Sequence, residues 1–277
     1  MTAMFLDPAF WYGLLLKIAM TAGIVVGASV IVERSGPFVG SLIAALPTAG
    51  GAAMIILASE HPPSFIAQSV VGGLVSNAAC AIFALTYAAL AQRRTLLVSL
   101  GGAFVVWFCA VGLSRLADWT MAAAVLLNIV VYPVTIYAGG RFRLEGAVRH
   151  VPLNGRDLLW RAVLVTTCVI VVTTLSDSIG SYFSGVFAFF PVAMGSFFII
   201  LHPRLGGPAA ASVAAYVQLP LIGLSLGLIA VHYLAVPFGV WWSYGIGLCT
   251  GIAWNGMLWT LRQWRSRATA PGPLHAP

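Results

Sequence analysis

The run from 95 to 115, TLLVSLGGAFVVWFCAVGLSR, holds no charge between its ends, and eight more runs of about twenty residues share its length and apolar character. A helix of that length crosses the ~30 Å hydrocarbon core of a bilayer. Within lipid every backbone N–H and C=O must find its partner inside the protein, and a helix supplies one for nearly every residue. Charged residues make up 8% of the 277, against about 25% in a soluble domain. Too few charges remain to coat a water-facing surface. The sequence therefore reads as an all-α polytopic membrane protein whose main surrounding is the lipid bilayer.

The runs cover 10–32, 38–58, 65–91, 95–115, 119–139, 158–176, 181–201, 208–232 and 236–262, about nine transmembrane helices. Their seams are short: Glu33-Arg34-Ser35-Gly36, His61-Pro62-Pro63, Gln92-Arg93-Arg94 and His202-Pro203-Arg204. The net charge of +7 sits in such seams rather than on a soluble basic patch, which argues against nucleic acid as a partner. With the N-terminus outside, the cytoplasmic side would hold Arg34, Arg93, Arg94, Arg141, Arg143, Arg149, Arg156, Arg204, Arg262, Arg265 and Arg267. The outer loops would hold only Arg115. That asymmetry predicts a multi-pass protein of the inner (plasma) membrane, N-terminus outside and C-terminus cytoplasmic. The first run lacks a charged leader segment and reads as a retained helix rather than a cleaved signal.

One stretch appears twice. Shifted by 144 residues, Glu33 falls on Asp177, Gly36 on Gly180, Pro47 on Pro191, Gly51 on Gly195, and Ile55-Ile56-Leu57 on Ile199-Ile200-Leu201. Eight of the 25 positions from 33 to 57 are identical, and the matches include a proline and two glycines in one register. The same shift lays the first, third and fourth runs on the sixth, eighth and ninth, and leaves 119–139 unpaired. The plan is five helices plus four: a first unit at 1–139, a basic linker at 140–157, a second unit at 158–264 and a disordered tail at 265–277. Because five is odd, the second unit would enter the membrane inverted, a pattern of secondary transporters.

Proline inside a helix removes a backbone donor and clashes with the preceding turn. Pro47 with Thr48, Gly50 and Gly51, and Pro191 with Gly195 and Ser196, thus mark two interrupted helices at related positions. Paired interruptions of this kind point to a solute site at the midplane; the plainer reading is two passive kinks with close helix contacts. Amides and hydroxyls within the runs, Gln68, Asn77, Asn128, Tyr132 and Gln218, must face the bundle interior. They would either bind a polar or anionic solute or hydrogen-bond between helices. Glu33 and Asp177 are gating or coupling candidates, or charges favoured at helix N-termini. Lys17 either snorkels outward or attracts an anion.

Other chemistry finds no residues to carry it. The four cysteines fall in apolar runs without a CxxC, and no histidine has a metal-ligand neighbour at helical spacing. No nucleotide-binding, serine-hydrolase or zinc-protease pattern occurs. The expectation is a permease without cofactor, metal or enzymatic activity. The runner-up is a non-transporting membrane accessory or assembly protein.

The segment ERSGPFVGSLIAALP resembles uncharacterised bacterial inner-membrane proteins of permease type. The inverted plan is similar to that of drug/metabolite transporters, which have five-plus-five helices where this chain shows nine. The resemblance implies a permease with inverted repeats; no specific motif of that group is shared, so it assigns no residue a role.

Overall fold

The computed structural model describes residues 12, 15, 17–23, 26–27, 48–144 and 154–268. Glu33, Pro47, most of the linker (145–153) and the tail from 269 lie outside the described residues, as does the side chain of Thr48. Among the described residues all regular structure is helical. Helix α1 is Thr48–Glu60, α2 Pro63–Ala91, α3 Leu96–Ser114, α4 Met121–Gly140, α5 Gly155–Ala188, α6 Val192–Leu205, α7 Gly207–Phe238 and α8 Val240–Ala268. Residues 12, 15, 17–23 and 26–27, inside the first expected span, are helical as well. Among the described residues five segments are long and apolar enough to cross a membrane: α2, α3, α4, α5 together with α6, and α7.

Two helix starts in the first half, at 63 and 96, recur at 207 and 240. Each pair is 144 residues apart, the shift that aligns the two proline motifs.

Several boundaries differ from the sequence reading. Helix α5 runs through 177–180 with one non-helical residue, Gly180, at φ 75°. A left-handed φ of this kind suits glycine alone at little cost. The chain turns sharply there. Ser184 Oγ lies 3.4 Å from the Ser176 carbonyl, whereas residues eight apart in a straight helix are separated by about 12 Å. The expected division between 158–176 and 181–201 coincides with this turn. His202-Pro203-Arg204 is the last turn of α6 rather than a loop, and Gly206 at φ 83° ends it. The next turn falls on Gly239 at φ 86°, three residues past the expected start of the ninth span. Helix α8 continues to Ala268 because Arg and Ala sustain a helix and the first breaker is Pro271. The helix thus takes in residues 265–268 of the expected tail.

Helix α2 is the hub, packed by α7, α5, α3 and α4. Of its most apolar stretch 72% is buried, against 22% for α3. Val105 and Phe108 of α3 and Ile129, Val130 and Val134 of α4 are exposed. In water such a surface would associate; in a bilayer it is where lipid belongs. Backbones meet where side chains are smallest, with Gly185 against the Ser69 carbonyl and Gly72 against that of Tyr182.

Contacts between helix ends sort into two groups. At one end Lys17 pairs with Glu60 (2.8 Å), His61 bonds Ser176 (2.9 Å), His232 bonds the Ala67 carbonyl (2.7 Å) and Tyr182 donates to Ser114 (3.2 Å). At the other, Tyr87 bonds His202 (2.9 Å), the Leu144 amide donates to Ser212 (3.0 Å) and Arg204 pairs with Asp157 (2.6 Å).

Candidate functional site

The helical ladder fails between α5 and α6. Phe189 and Phe190 are non-helical, and Pro191, φ −74° and ψ 38°, leads into α6. An unpaired carbonyl at such a break is costly away from water. Here the Phe189 carbonyl accepts from Ser76 Oγ at 3.2 Å and from Cys80 Sγ at 3.3 Å, both on the buried face of α2. The Phe189 ring fills the space between Gly50 of α1 and Gly73 of α2. So the break at Pro191 meets α1 at Gly50. Pro191, Gly195 and Ser196 are all buried. Gly195 faces Phe104 of α3, whereas no side chain of the described residues packs on Gly51.

A second cluster lies at the same level of α2, where Asn77 stands between Ser76 and Cys80. Asn77 Nδ2 donates to the Leu221 carbonyl (2.9 Å) and to Ser225 Oγ (2.8 Å). Ser225 Oγ in turn donates to Asn128 Oδ1 at 3.1 Å. Asn128 Nδ2 reaches the carbonyls of Leu74 (2.9 Å) and Ala124 (2.8 Å). Tyr132 OH lies 3.5 Å from the Asn77 carbonyl. Three of the expected residues, Asn77, Asn128 and Tyr132, therefore join α2, α4 and α7 through a buried chain of hydrogen bonds. Ser225, the link, was not singled out from the sequence; it stands two turns after Gln218 on the same face of α7.

Gln218 is fully buried, and neither its Nε2 nor its Oε1 hydrogen-bonds to a described group. Its amide packs against Gly139 of α4. An unpaired buried amide costs about 1–3 kcal/mol. Gln218 lies toward the end that holds Arg143, which reaches the Ala215 carbonyl at 3.5 Å.

Other expected site residues lie elsewhere. Gln68 is exposed and does not join the cluster. The reason is helical geometry: nine residues separate it from Asn77, two and a half turns, which places it on the opposite face of α2. Asp177 is exposed near His61 at the Lys17 end, with a 3.8 Å approach to the ring. Lys17 is bound to Glu60, neither free in lipid nor near the breaks.

Arg161, inside α5, is 5% exposed. Its Nε and Nη1 are buried without a hydrogen-bond partner among the described residues, and its guanidinium carbon lies 4.9 Å from the centre of the Phe197 ring. It lines a cavity between α5 and α6 that Ser196 also touches. The sequence signal was a lone cation within an apolar run. Phe189 and Cys80 carried no such signal, being ordinary residues of apolar helices. The chain matches no known protein family, no curated protein and no solved structure.

Proposed function

We propose that the chain is an integral membrane permease that moves a small polar or anionic organic solute by alternating access. In this reading two inverted units, five helices and four, rock about the meeting point of their interrupted helices. The observation that carries it is the contact of Phe189 with Gly50, with the Phe189 carbonyl held by Ser76 and Cys80. Irregular backbone at membrane depth is tolerated where protein shields it, and transporters place their solute sites beside such breaks. The recurrence of helix starts 144 residues apart supports the duplication. The Asn77–Ser225–Asn128 chain would tie the units in one state and offer amides to the solute in another, and Gln218 supplies a buried amide with no partner of its own.

The charges support the orientation. The end carrying Tyr87–His202 and Asp157–Arg204 collects Arg93, Arg94, Arg141, Arg143 and Arg156, and the opposite end carries Glu60, Asp118 and Asp177 beside the cations Lys17 and Arg115. By the positive-inside rule the former is cytoplasmic.

Reconstituted vesicles test the proposal: flux across a panel of neutral, anionic and cationic solutes, comparing wild type with Asn128→Ala and Gln218→Ala. Flux of one class that both variants reduce while still folded supports it. Folded protein that moves no class sinks it. The second reading, a non-transporting accessory or assembly protein, draws on a specific observation: the Asn77 and Asn128 amides already have carbonyl partners within the chain.

A further inference from the structure

The cavity between α5 and α6 is distinct from the meeting point at Phe189. Its volume is about 190 Å³, and its charged lining is Arg161, Arg204 and Asp157. The Asp157 carboxylate is committed, accepting from Arg204 Nη2 at 2.6 Å and from the Asn154 amide at 2.8 Å. Two cations against one anion leave a single positive charge, and it resides on Arg161, whose buried Nε and Nη1 have no hydrogen-bond partner among the described residues. The hydroxyl of Ser196 returns to the Ala193 carbonyl at 2.9 Å, so polar recognition falls to the guanidinium.

The mouth is apolar and open. Trp160 is 66% exposed, Ile199 45% and Leu164 38%, in helices whose outer surfaces face lipid. A drug-sized solute needs about 300 Å³ or more of enclosure. This cavity encloses the head of an amphiphile and leaves its body along the exposed side chains. We propose that it binds the phosphate of an anionic phospholipid, with an acyl chain lying over Trp160, Leu164 and Ile199. Basic pockets between membrane helices recognise anionic headgroups through this chemistry, and arginine suits phosphate better than lysine does. The site does not depend on transport and is tested without it.

Native mass spectrometry of the purified full chain tests the assignment. The probes are phosphatidylglycerol, phosphatidylcholine and the tailless glycerol phosphate, and a thermal melt of each variant checks folding. We expect phosphatidylglycerol to bind in preference to both others. Arg161→Gln should weaken it about fivefold, the weight of one basic residue at a membrane surface. Arg161→Lys should recover part of that loss. Trp160→Ala, which leaves the charge in place, should weaken phosphatidylglycerol and leave glycerol phosphate unchanged. Equal binding of phosphatidylglycerol and phosphatidylcholine, or an unchanged preference in folded Arg161→Gln, overturns the proposal. Glycerol phosphate binding as well as the lipid assigns the cavity to a soluble anion and overturns it too.

Discussion

The ring of Phe189 lies directly on Gly50, so that a β-carbon added to Gly50 would fall 2.5 Å from two ring atoms. On its other side the ring meets Gly73 of α2. One aromatic residue at a helix break thus joins α1 to the hub helix.

Enlarging Gly50 should therefore destabilise the protein through this ring. Overpacking a filled site costs about 1–3 kcal/mol, and Gly50→Val should lower the melting temperature in detergent. Shrinking the partner makes room, so the penalty of Gly50→Val should largely vanish in a Phe189→Ala background. Equal losses in both backgrounds would show that the ring is not what Gly50 accommodates.

The carbonyl of Phe189 has two donors, and redundancy shapes what their loss does. With Ser76→Ala the Cys80 thiol remains, and with Cys80→Ala the Ser76 hydroxyl remains. Each single change should cost a few tenths of a kcal/mol. The double variant strands a buried acceptor and should cost about 1–3 kcal/mol, more than the sum. Strict additivity in unfolding measurements contradicts a shared acceptor.

Asn128 and Ser225 should be coupled. Hydrogen bonds between membrane helices are worth about 0.6 kcal/mol on average, so Ser225→Ala alone should be mild. Asn128→Ala removes contacts to Leu74 and Ser225 together and should cost more. In a double-mutant cycle the second change should cost less than it does in wild type. A coupling energy of zero would falsify the chain of bonds from Asn77 through Ser225 to Asn128.

Much of this arrangement was legible from one-dimensional signals. Pro191 was marked as a break, and α6 starts one residue after it; Pro47 lies outside the described residues. Asn77, Asn128 and Tyr132 could be assigned to the interior because amides and hydroxyls are expensive in lipid. Gln68 failed under the same rule, since near a helix end an amide reaches water without entering the bundle. Phe189, Cys80 and Ser225 were invisible for a different reason. Their roles rest on which carbonyl or glycine of another helix they touch, and composition does not encode that register. Arg161 was in plain sight as a cation within an apolar run, but its unpaired nitrogens become apparent only once Asp157 is seen bound to Arg204.

The two ends of the bundle should also be separable by chemistry. Asp177 and Arg94 are both exposed, Asp177 in the group with His61 and Lys17, and Arg94 at the end of α2 that holds Tyr87 and His202. In a background carrying Cys109→Ala and Cys249→Ala, Asp177→Cys should react with a membrane-impermeant maleimide on intact cells. Arg94→Cys should react only after the membrane is opened. The reverse pattern would invert the orientation, and labelling of both from outside would mean that α2 does not cross the bilayer. The expected result follows from charge: the opposite insertion would carry Arg93, Arg94, Arg141, Arg143, Arg156 and Arg204 to the outer surface, against the bias that retains short basic loops in the cytoplasm.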